Sequence, residues 1–307
     1  MIKPAVSVVL PVYNAENFIG QALDSISAQT YRDFEAIVID DGSTDSSLEV
    51  IRTHVGADDR FRIVSRPNRG IVATLNEGIE MATGEYIFRM DADDVSYPSR
   101  FEMQLAFFAQ NPGCVALGTR TMLADEELLP IIEMVGSFTH EEIDAENLRG
   151  QGSAMCHPSV AMRRESVLAV GGYRARYEWA EDLDLFLRLA EVGTLANLRD
   201  VLITYRQHLA SVGHGKRMLQ MERTSLAVAE ATRRRGERAG KAFAAAPTET
   251  TAPSGYASIA EIHRKWGWLA LQGGHPKTAR KHAFEALKLQ PFNPANPRLI
   301  ACAVRGY

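Results

Sequence analysis

The stretch GEYIFRMDADD, residues 84–94, decides how the chain is read. It begins as an apolar strand, Tyr86 to Met90, and ends in Asp91, Asp93 and Asp94, three carboxylates within four positions. Like charges held this close raise one another's pKa unless a cation or other positive group offsets them. A hard divalent ion with oxygen ligands, Mg²⁺ or Mn²⁺, offsets them and also bridges phosphate oxygens. A single Asp at a strand end reads equally well as a turn former or helix cap, and an Asp-x-Asp alone is common by chance. Here a second acidic pair, Asp40-Asp41, ends an earlier strand ahead of GSTD. Two such clusters at one sheet edge are harder to assign to turns.

The residues on either side supply that sheet. VSVVLPV (Val6–Val12) is a nearly continuous β-branched run, as expected of a parallel strand covered on both faces. Ile19, Ala22, Leu23 and Ile26 then recur at helical spacing. FEAIVID (Phe34–Asp40) is a second buried strand, followed by a helix carrying Leu48, Ile51 and Val55. FRIVSR is a short third strand. Ile71, Leu75 and Ile79 predict the next helix, ending around Gly84, and EYIFRM is the fourth strand. Pro98 opens a helix with Phe101, Leu105 and Phe108 on one face, closed by Asn111-Pro112, and CVALGT reads as another strand. Repeated strand–helix units predict an α/β fold with a doubly wound, mostly parallel sheet, whose ligands bind beyond the carboxyl ends of the strands.

From about 120 to 215 the pattern is mixed, with one clear helix at AEDLDLFLRLAEVG. Beyond it the chain turns helical. The expected organisation is a main domain over 1–215, in two halves over about 1–118 and about 119–215. A helical C-terminal region covers 216–307, with a linker at about 236–257 and a helical hairpin at about 258–290 that resembles one tetratricopeptide-like unit. One such hairpin cannot bury its own face, so it should pack on the main domain or on a protein partner.

Bulk composition narrows the classes. Of 307 residues, 46% are hydrophobic and 23% charged, enough to bury a full core. A net charge of −4 gives no reason to expect nucleic acid as a partner. Three scattered cysteines form neither a disulfide framework nor a zinc spacing and fit a reducing compartment. The first residues read as a buried strand rather than a secretory signal. No run approaches the roughly 18 apolar residues of a spanning helix. The expected location is the cytoplasm, with peripheral contact at the inner face of the membrane as an option, since Arg233 to Arg235 offer charge to anionic headgroups. G-x-x-x-x-G-K-[ST] is missing and no G-x-G-x-x-G follows strand one, which weighs against ATP or NAD chemistry.

Three segments together, VSVVLPVYNAENFIGQALDSISAQTYRDFEAIVIDDGSTDSS, RPNRGIVATLNEGIEMATGEYIFRMDADD and WAEDLDLFLRL, resemble the successive motifs of family 2 inverting glycosyltransferases, over roughly residues 5–210. The resemblance implies the glycosyltransferase-A fold, a nucleotide-sugar donor and a divalent metal, and makes residues of about 1–118 the donor-binding half and of about 119–215 the acceptor half. It places Pro11, Tyr13 and Asn14 beside the base and ribose, and Asp41 on the carboxylate that reads a uracil ring. Arg69 and Asn76 fall in the segment crossing the nucleotide. Asp93 becomes the direct metal ligand, Asp91 lies nearer the ribose and shares the metal, and Asp94 takes part in either role. An Asp facing a pyrimidine N–H makes a charge-assisted hydrogen bond. Tyr13 reads equally as a half-buried aromatic at a strand end, and Arg69 as an exposed loop arginine.

Inverting displacement needs a general base for the acceptor hydroxyl. The family's Glu-Asp motif falls on Glu181-Asp182, which makes Asp182 the base, with Glu181 or Asp184 next in line; the plainer reading is a helix cap. Glu181, His157, Arg206 and His208 are candidates for the acceptor or diphosphate pocket, and His208 also for the metal shell. The expected activity is metal-dependent inverting transfer from a nucleotide diphosphate donor, most simply a UDP-sugar. The acceptor would be a hydroxyl of a surface polysaccharide, lipopolysaccharide or other bacterial-type glycan, free or lipid-linked. A sugar-phosphate nucleotidyltransferase would want a Gly-rich basic loop where PVYNAEN stands. A non-catalytic glycan-assembly scaffold would not need Asp41, Asp91, Asp93 and Asp182 all intact.

Overall fold

The computed structural model describes residues 3–150, 153–209, 217–238 and 258–306. The linker expected at 236–257 lies, beyond residue 238, outside the described residues. The chain divides into two compact units: Met1–Arg120, Gly136–Ile203 and Lys216–Thr248 form the first, and Thr121–Val135, Thr204–Gly215 and Glu249–Tyr307 the second.

The first half alternates strand and helix, as its periodicities predict. The elements are β1 (Val6–Val12), α1 (Ile19–Ser27), β2 (Phe34–Asp40), α2 (Ser47–Val55), β3 (Phe61–Ser65), α3 (Ile71–Met81) and β4 (Tyr86–Arg89). A two-residue strand, β5 (Val95–Ser96), precedes α4 (Arg100–Gln110) and β6 (Cys114–Ala124). Then follow β7 (Pro130–Met134), α5 (His140–Leu148), β8 (Ala161–Arg163), α6 (Arg164–Ala169), α7 (Glu181–Leu189) and β9 (Thr194–Arg206). The described C-terminal helices are α8 (Arg217–Arg238), α9 (Ile259–Gln272), α10 (Pro276–Leu289) and α11 (Asn296–Arg305).

The strands run in the order β3-β2-β1-β4-β8-β6-β9-β5, with β7 on the Thr121–Ala124 end of β6. β1 is central, parallel to β2 on one side and β4 on the other, and all seven of its residues are buried. β8 is antiparallel to both β4 and β6, so a parallel core carries an antiparallel extension. Side chains alternate between two hydrophobic layers: Val8, Leu10, Val38 and Phe88 face one, Val9, Ile37, Ile39 and Ile87 the other. α1 delivers Ile19, Leu23 and Ile26 to the first layer, and α3 delivers Val72, Leu75 and Ile79 to the second. α3 reaches β1 because of Gly78, where an added Cβ would lie 2.4 Å from Val9 Cγ1. That helix stops at Met81 rather than near Gly84, as Ala82 turns extended and Gly84 N–H bonds Ser7 Oγ at 2.8 Å.

α7 is covered on two sides. Leu185, Phe186 and Leu189 join the second layer, while Leu183 and Leu187 pack with Tyr177 and with Ala227 and Ala231 of α8. Two of the arginines offered above to lipid headgroups are engaged within this unit. Arg234 pairs with Glu191 at 2.7 Å and Arg235 with Asp144 at 2.6 Å, leaving Arg233 with Glu237 on the exposed face.

In the second unit α9 and α10 form the expected hairpin around Gly273-Gly274. Helix α11, which the periodicity did not single out, and Ile131 of β7 complete its core with Ile262, Trp266, Ala270, Ala279, Ala283 and Leu299. One helical pair is stable here because a third helix and a strand cover the face that further repeats would otherwise bury. No helix among the described residues is long and apolar enough to cross a membrane.

Candidate functional site

β4 lies beside the central strand and ends at Arg89; Met90 N–H still bonds Val9 O at 3.2 Å before the chain leaves the sheet. The next four residues bring Asp91, Asp93 and Asp94 together, with one oxygen from each within 4.8 Å of the others. Asp94 is fully buried and the other two are half-buried. The turn is held from behind by Arg100, 1% exposed, which donates to Arg89 O at 2.9 Å and to Gln104 Oε1 at 3.1 Å. Burial lowers the Arg100 guanidinium to about 9, and Asp94 is among the groups resisting that fall. From the front, the buried Arg89 forms an ion pair with Asp91. Burial pushes the Asp91 carboxyl up, Arg89 opposes this, and Asp93 and Asp182 add to it. Three converging carboxylates offer the hard oxygen donors that suit Mg²⁺ or Mn²⁺, so the residues present fit such an ion.

The influence of Asp182 on Asp91 links this cluster to α7, whose first turn carries Glu181, Asp182 and Asp184. The approach to the helix is strained. Trp179 has φ +82°, a region bulky residues rarely adopt, and its N–H donates to Glu181 Oε2 at 2.7 Å. Burial first, then the charge of Asp182, pushes the Glu181 carboxyl up to about 7. Asp182 is likewise raised by burial, against backbone N–H groups of the helix start and Arg89. Asp184 differs: its buried carboxylate lies between Arg188 and Arg174. Its carboxylate is engaged in holding the loop before α7 to the helix.

Asp41 sits where β2 ends and receives Arg69 N–H at 2.8 Å, Gly70 N–H at 3.0 Å and the Arg66 guanidinium. Arg66 also binds Glu77 Oε2 at 2.7 Å and Thr74 Oγ1 at 3.0 Å. Asp41 thus shapes the 66–70 turn, whose Arg69 side chain stays exposed. At the end of β1, Pro11 is buried, Tyr13 is 54% exposed and Asn14 takes φ +50°. Asn14 Oδ1 accepts from Thr44 N–H at 2.8 Å, tying this loop to the one after β2.

Asn76 clips α3 to the Tyr173 backbone through both amide ends, at 2.8 and 2.9 Å. Tyr173 Oη meets His157 Nε2 at 2.7 Å, and the imidazole packs edge-on against Phe186. Burial, then Arg89, lowers His157 well below the usual histidine range, so it is neutral at pH 7. In the second unit Arg206 is buried and donates to Glu126 O, and His208 follows β9 as a partly buried residue.

The reading of the sequence missed Arg89, Arg66, Arg100 and Tyr173. Arg89 left a signal, an arginine inside the otherwise apolar YIFRM; the others look like ordinary surface residues until the turns that enclose them are built.

A family model described as glycosyl transferase family 2 matches residues 7–171. EpsE of Bacillus subtilis (strain 168), named provisionally as a glycosyltransferase, is 32% identical over 209 residues, 66% of this chain and 73% of that protein. The hyaluronan synthase of Pasteurella multocida is 30% identical over 235 residues, 76% of this chain but only 24% of that much longer protein. Among solved structures, the mannosyltransferase PcManGT from Pyrobaculum calidifontis, in complex with GDP-Man and Mn²⁺, superposes with a TM-score of 0.58 at 20% identity, covering 99% of this chain and 81% of the other. S. aureus TarS 1-349, in complex with UDP-GlcNAc, gives 0.57 at 15% identity, covering 98% and 79%. At these identities the two structures show the same fold.

Proposed function

The chain belongs to glycosyl transferase family 2, and from that premise we propose that it is a metal-dependent inverting transferase that moves a sugar from a nucleotide diphosphate, UDP in the first instance, to a glycan hydroxyl. The observation that carries this reading is the meeting of Asp91, Asp93 and Asp94 within 4.8 Å beside a carboxyl pair, Glu181-Asp182, raised by burial. Asp93 and Asp91 would hold the ion, with Asp94 buried behind them. When bound, Mn²⁺ or Mg²⁺ supplies positive charge against the departing diphosphate.

The chain's own groups supply the rest. Asp182 takes the proton of the acceptor hydroxyl as its oxygen attacks the anomeric carbon; the bond from that carbon to the diphosphate oxygen breaks, and the sugar inverts. A burial-raised carboxylate is a stronger base than an exposed one and is still ionised above its pKa. Tyr13 offers an open aromatic face for the base, and Asp41 with the 66–70 turn frames the pyrimidine edge. The hyaluronan synthase among the relatives supports a glycan as acceptor.

The test is transfer from a panel of nucleotide sugars, with and without Mn²⁺, scoring the anomeric configuration of the product. Asp182→Asn should retain donor affinity and lose roughly 10²- to 10⁴-fold in rate, the usual contribution of a general base. Transfer at the normal rate in Asp182→Asn, or a product of retained configuration, overturns the reading.

A further inference from the structure

Arg89 is the sole charged residue of β4, 5% exposed, and its Nε meets no hydrogen-bond acceptor. An isolated guanidinium is costly to bury. Here the surrounding acids compensate it: despite burial, Asp91 and then Tyr173 and Asp94 hold its pKa above the ordinary arginine value. The same cation draws down the carboxyls of Glu181 and Asp182. A single fixed positive charge therefore serves the acids of two separate elements, β4 and α7, and it already forms an ion pair with Asp91 Oδ2.

That arrangement affects how a dication can enter. An ion held by these carboxylates would have to share Asp91 with a buried guanidinium, and in so dry a site charges interact far more strongly than in water. A diphosphate arriving with the ion reverses the balance. Resting on the metal-dependent reading above, we propose that Arg89 is a positioning residue that makes metal uptake conditional on the nucleotide: by occupying Asp91 it keeps the empty site from holding a divalent ion alone, and it admits the ion together with the diphosphate.

The test is calorimetric titration of the full chain with Mn²⁺ alone, with UDP alone, and with Mn²⁺ in the presence of UDP, for the wild type, Arg89→Lys and Arg89→Met. The wild type should bind Mn²⁺ at least tenfold more tightly when UDP is present. Arg89→Met should bind Mn²⁺ alone at least tenfold more tightly than the wild type, with a smaller gain from UDP; Arg89→Lys should behave as the wild type. If Arg89→Met does not fold, Arg89→Gln carries the same expectation, read also as a larger rise in melting temperature with Mn²⁺ alone. An uncharged variant that binds Mn²⁺ no more tightly than the wild type overturns the role given to Arg89. A wild type that binds no Mn²⁺ even with UDP instead removes the metal-dependent reading, and this proposal with it.

Discussion

Asp184 and Arg188, one helical turn apart in α7, form a buried ion pair at 2.6 Å, and Arg174 closes on the same carboxylate from the loop before the helix. Two residues earlier, Asp182 lies near enough to the acids at the end of β4 for its charge to help raise the Asp91 carboxyl. The first turns of α7 thus carry both a carboxylate that holds the fold and the one proposed above as the base.

This division predicts opposite phenotypes. Asp184→Ala leaves the buried Arg188 without its carboxylate, while the partly exposed Arg174 keeps Glu230, and should destabilise the protein by about 3–5 kcal/mol, the usual cost of breaking a buried pair. Asp182→Asn should leave the denaturation midpoint nearly unchanged. Urea unfolding of the two variants checks this, and a stable but inactive Asp184→Asn would keep Asp184 among the candidates for the base.

The pH dependence has a definite sign. Glu181 is raised to about 7 in the folded chain, against an ordinary value of 4.5, so the folded state binds a proton that the unfolded state does not. In metal-free protein this group's contribution grows as the pH falls from about 7 and is complete below 4.5. Unfolding free energy measured across that window should show the slope in the wild type and a reduced slope in Glu181→Gln.

The second unit has its own clasp. Asp125 accepts Lys281 Nζ at 2.7 Å and lies 3.2 Å from His282 Nε2, joining the turn between β6 and β7 to α10. Despite burial, these two partners lower Asp125 to about 2 from 3.8, so its stabilisation is present above 3.8 and is lost as pH falls through about 2. Asp125→Ala should speed hydrogen exchange in α9 and α10 at neutral pH. Exchange unchanged in those helices would show the clasp to be dispensable.

Gly78 tests the fit of α3 on β1. Gly78→Ala should cost about 1–3 kcal/mol through overpacking against Val9, and Val9→Ala in the same chain should recover part of it. Additive losses in the double variant would refute the contact as the cause.

Most of the first 118 residues were legible because their signals are local. Val6–Val12 and Phe34–Asp40 are apolar on both faces, and the acids stand where those periodicities stop. The antiparallel strand β8 and the strand β9 were not, since their pairing depends on partners far away in the chain. The buried arginines were hidden for the same reason: Arg100 lies on a helix whose spacing alone does not show which polar residue faces inward. Arg66 and Asn76 take their partners from distant loops, Asp41 and Tyr173, that only the folded chain brings near.

The central claim is that acids at the end of β4 hold one divalent ion against a nucleotide diphosphate. Its most direct test is calorimetric binding of UDP in saturating Mn²⁺ to the wild type and to Asp93→Ala, with folding of both verified by circular dichroism. The account predicts a single Mn²⁺-dependent site in the wild type, weakened on the order of a hundredfold in Asp93→Ala, the range seen when a metal site is damaged. Equal affinity in the two proteins, or wild-type binding indifferent to the metal, would contradict it.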